Sequence, residues 1–338
     1  MKKVINLLVV LLTMFALMAC TNQNHSETEN NDVVVYKDYT YTIAGSNKSI
    51  SVPVEPERIV VIGYDLVDII ENLGQEDKIV GLPDPSGPIF PSFLNDYSDV
   101  ASIGSLTGDD FEAIAKLNPD LILAGQRASS SLDELNKIAP TAYFSIPGLS
   151  DLPFEEQLVT NINDVAYLLN VEDEAPALID SLTSKIDVLR TKLVEVEDPT
   201  TLFLILTGKT INMYSDNPSS RYDFVFSNFG FKSIANNEEI NEEDIKVNGG
   251  EASSHGNSVS FEFISAKNPN YLLVIDRGST IGQSDELASD TLDNSLINST
   301  KASINDNIIY LDGAAWYLAT GGITATEIMI EDLMQAIE

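Results

Sequence analysis

One pattern occurs twice in this chain and restricts its fold more than any other feature. Phe111-Glu112-Ala113-Ile114 leads to Asn118-Pro119-Asp120 and then the apolar run Leu121 to Ala124. Phe261-Glu262-Phe263-Ile264 leads to Asn268-Pro269-Asn270 and then Tyr271 to Ile275. Each copy reads as a helix, an Asn-Pro turn and a buried strand. Two lobes of one design are the simplest account of such an echo.

The surroundings of each copy agree. Val33 to Val54 alternates around Gly45-Ser46-Asn47-Lys48 and predicts a hairpin. Next come a buried-type strand over 58–63, a helix over 65–73, a strand over 78–81, a helix over 132–138 and a strand over 142–144. The grammar restarts with a strand over 201–206, a helix over 222–229 and a strand over 308–311. Strands alternating with helices imply parallel pairing, so the expected class is α/β, with two Rossmann-like lobes of mainly parallel sheet and a ligand cleft between them. Between the lobes, Glu172 to Val196 lacks glycine and carries its one proline in the first turn, where proline is tolerated. Leu178, Leu182, Ile186, Leu189 and Leu193 recur at helical spacing, predicting one amphipathic helix of about 35 Å. A single bridging helix is a stiff hinge, and limited closure is expected. The domains are expected at 33–171, 172–197 and 198–338.

The amino terminus reads as an address. Met1-Lys2-Lys3 is positive, Val4 to Ala19 is apolar, and Cys20 follows directly. This is the layout of a secretory signal over 1–19. The cysteine resembles that of a bacterial lipobox, with Met18 departing from the usual small residue. Lipidation of Cys20 would anchor the chain on the extracytoplasmic side of the cell membrane. Residues 20–32 then form a polar tether.

Composition removes whole classes. Acidic residues outnumber basic ones 52 to 19, for a formal charge of −33, which argues against nucleic-acid binding. One cysteine and two histidines exclude disulfide frameworks, zinc-cysteine sites, iron–sulfur clusters and multi-histidine metal sites. There is no G-x-S-x-G elbow, Walker loop or dinucleotide fingerprint, and no enzyme is expected. The arginines are only Arg58, Arg127, Arg190, Arg221 and Arg277. Arg127 and Arg277 stand just beyond predicted buried strands, at the edge where open α/β sheets bind ligands. Arg221 opens a predicted helix facing the same crevice.

Several motifs in order carry a family resemblance: Pro56-Glu57-Arg58-Ile59-Val60-Val61, Gly125-Gln126-Arg127, Ser219-Ser220-Arg221-Tyr222, His255-Gly256-Asn257-Ser258-Val259-Ser260-Phe261-Glu262, Asp276-Arg277-Gly278 and Trp316-Tyr317-Leu318. Over roughly residues 40–338 the chain resembles the substrate-binding lipoproteins of iron-siderophore ABC importers, especially the subgroup for ferric catecholate and citrate-catecholate complexes. The resemblance implies that Arg127, Arg221 and Arg277 bind a ferric siderophore; Tyr64, after the first strand, and Trp316, beyond the strand over 308–311, are expected at the same edge from their positions. It implies that His255 and Tyr317 coordinate iron when the siderophore leaves positions open. It also implies that Glu112 and Glu262 dock on a permease served by its ATPase. No intrinsic cofactor is expected, and the chain is expected to be a monomer. A haem- or cobalamin-type binding protein of the same fold is the alternative; a nearly neutral corrinoid does not call for three cations.

Overall fold

The computed structural model describes residues 34–218, 220–235 and 256–337. The leader, Cys20 and His255 lie outside them. A hairpin opens the described chain, β1 (Tyr36–Ile43) paired antiparallel with β2 (Ser46–Pro53). Its inward residues Tyr39 and Tyr41 bury their rings against Phe144 and Tyr143.

The first lobe is built on β3 (Ile59–Ile62), β4 (Ile79–Leu82), β5 (Ala101–Ser102), β8 (Leu121–Ala124) and β9 (Thr141–Tyr143). Their order is β5-β4-β3-β8-β9 and every pairing is parallel. A small hairpin, β6 (Gly104–Ser105) with β7 (Gly108–Asp109), lies beside the sheet in sequence. All four residues of β3 are buried, as an apolar run covered on both faces must be. The second lobe contains β10 (Thr200–Thr207), β11 (Thr210–Tyr214), β12 (Lys232–Ser233), β13 (Asn257–Ser258), β14 (Tyr271–Asp276) and β15 (Ile308–Leu311). The path is β13-β11-β10-β14-β15, with β12 on β10. Here β11 and β13 pair antiparallel and the rest parallel, so this sheet is mixed.

The two echoed segments fold alike. Asp110 caps the helix Phe111–Lys116 by accepting from the Ala113 amide, and Ser260 caps Phe261–Lys267 by accepting from the Phe263 amide. Asn118 and Asn268 both take left-handed backbone (φ 45° and 50°), which asparagine tolerates, and the proline after each prevents the helix from continuing.

The bridging helix is Ala175–Glu195, with Pro176 in its first turn, and it buries Leu182, Ile186, Leu189 and Leu193. Two further helices were not read from the sequence. Phe154–Leu169 buries the polar Gln157 and Asn161, which interrupt its apolar stripe. Ile323–Ile337, rich in β-branched residues, packs on the bridging helix and on the helix Tyr64–Asn72 of the first lobe. Its start is held by Asp68, a fully buried first-lobe residue. The Asp68 carboxylate accepts from the Thr324 amide (3.1 Å) and the Ala325 amide (2.8 Å). A Cβ on Gly322 would sit 2.2 Å from Asp68 Oδ2, so glycine is required there. The bridging helix is thus not the sole connection between the lobes; the carboxyl-terminal helix straps back across them.

Candidate functional site

The three arginines expected at strand ends are brought together around one side chain. Arg127 lies on the turn Gln126–Ala128 beyond β8, Arg277 begins the turn beyond β14, and Arg221 precedes the helical turn Val225–Phe229. Their guanidinium carbons lie 5.9, 5.3 and 4.8 Å, respectively, from the centroid of the Tyr317 ring for Arg127, Arg277 and Arg221. Arg127 donates to the Tyr317 carbonyl at 2.9 Å and the Leu318 carbonyl at 3.5 Å. Arg221 donates to the same Tyr317 carbonyl at 3.0 Å. Arg277 donates from Nε to the Tyr317 hydroxyl at 2.7 Å, and from Nη1 to Gln283 at 3.1 Å. One tyrosine thus engages all three cations, through its carbonyl and its phenol.

Among the described residues none of these arginines forms an ion pair with a carboxylate, whereas Arg190 pairs with Glu155 and Asp187. Burial, and then the neighbouring Arg221, lowers the proton affinity of Arg127, but a guanidinium stays charged throughout the physiological range. Arg221 also lies 5.3 Å from the ring centroid of Tyr222, whose own hydroxyl is pushed up to about 12 by burial. Two cavities meet at Arg277 and Tyr317. One, of about 350 Å³, is lined by Leu149, Tyr214 and Arg221; the other, of about 230 Å³, by Ser105, Thr107 and Arg127. A third, of about 740 Å³, shares Leu149 and extends past Gln126, Tyr143 and Gln157. The site is a polar crevice with aromatic walls and a concentrated positive centre.

Two sequence expectations are corrected. Tyr64 is fully buried; it donates to the Pro83 carbonyl at 3.1 Å and meets Phe90 edge-on. The apolar packing behind β3 takes the ring that the sequence placed at the crevice. Trp316 is also fully buried, stacked on Phe224 and donating to Asp332 at 2.8 Å. Its neighbour Tyr317 is the half-buried one that faces the arginines. His255 lies outside the described residues. Glu112 and Glu262 are exposed in the first turns of the matched helices, with Glu112 facing Lys116 at 4.0 Å. Among the described residues no group of three acidic, histidine or cysteine side chains could hold a metal ion.

Three residues of the site were not read from the sequence. Thr207, the last residue of β10, and Gln283, in a loop, both accept from Arg277, and neither setting carries a signal in the sequence. Asp65 is buried within the apolar stretch that follows β3; an acid in such a run, shared there with Asp68, was the available clue.

The family model for periplasmic binding proteins matches residues 59–315. The chain belongs to that family. Family members that resemble it are binding proteins and not enzymes. The petrobactin-binding protein YclQ of Bacillus subtilis is 31% identical, with all of both chains covered. The crystal structure of that protein superposes with a TM-score of 0.77 at 29% identity, covering 89% of this chain and 99% of the other. The periplasmic catecholate-siderophore binding protein VctP of Vibrio cholerae gives a TM-score of 0.75 at 29% identity, covering 88% of this chain and all (100%) of that one. The α/β architecture is that of these family members.

Proposed function

We propose that this chain captures a ferric siderophore of catecholate type in the crevice and delivers it to an ABC importer for iron uptake. The observation that carries the reading is the convergence of Arg127, Arg221 and Arg277 on Tyr317 without an ion-paired carboxylate. Three adjacent cations repel one another, and an incoming anion relieves that repulsion. A charge pair at 4 Å is worth about 4 kcal/mol at an effective dielectric near 20. The −33 formal charge of the chain does not oppose this at the site, because surface charges beyond about 8 Å are screened at physiological salt. Arginine suits the role, with its permanent charge and a planar fork matching paired oxygens. The similarity to proteins named for petrobactin and catecholate siderophores supports the ligand class.

In this reading Tyr317 and His255 complete the iron coordination when the siderophore leaves positions open. Glu112 and Glu262 present one carboxylate per lobe to the permease. Cys20 carries the lipid that holds the protein at the extracytoplasmic face. A ferric tris-catecholate absorbs in the near ultraviolet, where tryptophan emits, so its binding is followed by quenching of the sole tryptophan, Trp316, through energy transfer from the core. Titration with a ferric tris-catecholate should quench and saturate, while a ferric hydroxamate should do so weakly. Equal responses to both would overturn the catecholate assignment.

A further inference from the structure

The guanidinium cluster has a buried counter-charge behind it. Asp65 is 2% exposed, in the first turn of the helix that leaves β3. It stands where the adjacent first-lobe strands β3 and β8 end, each followed by a glycine. A Cβ on Gly63 would lie 2.7 Å from Asp65 Oδ1, and one on Gly125 would lie 3.8 Å away. Gly125 is the residue from which the Gln126–Ala128 turn, bearing Arg127, departs. Gly63 thus makes room for the carboxylate, and Gly125, in ordinary contact range of it, places it directly under the arginine loop.

This carboxylate does not orient Arg127. The Tyr317 and Leu318 carbonyls take the Arg127 hydrogen bonds, and no ion pair with Asp65 forms. Its own bonds are local, to the Asp65 and Leu66 amides. What reaches the site is its field: the charged groups that act on it are Arg127 first and then Arg221. From this geometry we infer that Asp65 is a specificity-determining residue that lowers the net charge of the crevice from three positives to two, setting how strongly it favours highly charged anions.

The inference rests on the binding of an anionic ferric complex at this site. Burial raises the Asp65 carboxyl to about 6 despite the two arginines, so it is ionised at neutral pH but near its titration range. An arriving anion raises it further, so binding near neutrality should draw in a proton.

The test uses the full chain and a hexadentate ferric tris-catecholate of charge 3−, with a ferric complex of lower charge as comparison. D65N should bind the trianion about tenfold more tightly at neutral pH, since each 1.4 kcal/mol is a tenfold change and one nearby unit charge is being removed. The less charged complex should gain less. Calorimetry in two buffers of different ionisation heat should detect proton uptake by the unmodified protein, and none by D65N. Should D65N not fold, proton uptake by the unmodified protein decides alone, and its absence overturns the assignment. Weaker or unchanged trianion binding by D65N also overturns it, because a purely structural role predicts that result. Failure of the unmodified protein to bind either complex is a different outcome: it overturns the binding reading itself and the Asp65 role with it.

Discussion

Arg127 and Arg277 occupy the same place in two copies of one helix–turn–strand segment, yet different chemistry holds them. Arg127 spends its donors on backbone carbonyls of the opposite lobe and has a buried carboxylate behind it. Arg277 reaches only side chains, Tyr317, Thr207 and Gln283. The aspartate beside it, Asp276, is already committed to the Ser279 and Ala288 amides. The repeat delivers a cation to the same sheet edge twice, and the contacts around each determine what it does. Arg127 is part of the fabric joining the lobes; Arg277 is free to exchange its partners for a ligand.

The comparison can be broken first at its shared support. Trp316 fixes the backbone that presents the Tyr317 and Leu318 carbonyls. Trp316→Ala should cost about 3–5 kcal/mol of stability, the range for deleting a buried aromatic, as read by chemical denaturation. A loss under 1 kcal/mol, of the order of a surface substitution, would return Trp316 to the crevice. Next, Arg277→Ala should weaken ferric tris-catecholate binding by about 1.5–3 kcal/mol, the range for hydrogen bonds to charged groups, with the melting temperature unchanged. Arg127→Ala should lower both affinity and melting temperature. Identical behaviour of the two variants in calorimetry and thermal melts would erase the distinction drawn between them.

The strap offers a smaller test. Asp68→Ala removes a buried cap and should cost about 1–3 kcal/mol, with faster hydrogen exchange at the Thr324 and Ala325 amides. Burial raises the Asp68 carboxyl from 3.8 to about 6. Between those values the folded chain holds a proton that the unfolded chain has released. This group's contribution to stability is therefore greatest at low pH and falls as the pH rises through about 4 to 6. Denaturation across that range should show a flatter profile for Asp68→Asn than for the unmodified protein. The smallest effect concerns the outer carboxylates. Replacing Glu112 and Glu262 by lysine should change stability by no more than about 0.5 kcal/mol each, as for exposed sites, and leave ligand affinity intact, while iron uptake in cells is lost.

Much of this was legible beforehand, for identifiable reasons. The Asn-Pro echo and the continuous apolar runs determine helix, turn and buried strand locally, so the strand ends and their arginines could be placed. The glycine-free heptad-like stripe ending at Leu193 likewise determines the bridging helix. What could not be read depends on packing between distant segments. Nothing near Asp68 in sequence indicates that it will cap a helix beginning at Ile323. Tyr64 and Trp316 sit at strand edges by sequence, but whether an aromatic faces a crevice or the core depends on rotation within the following turn. At Trp316-Tyr317 that rotation put the indole on Phe224 and left the phenol among the arginines. The antiparallel edge of the second sheet also went unread: Gly208 and Lys209 alone join β10 to β11, a connection that forces an antiparallel hairpin, but no strand over Thr210–Tyr214 was expected.

A crystal structure with a ferric tris-catecholate bound addresses the central idea without intermediaries. The siderophore oxygens should lie within hydrogen-bonding distance of Arg127, Arg221 and Arg277 together, beside the Tyr317 ring. A siderophore seated elsewhere, with all three side chains still turned to the Tyr317 carbonyl and hydroxyl, would contradict it.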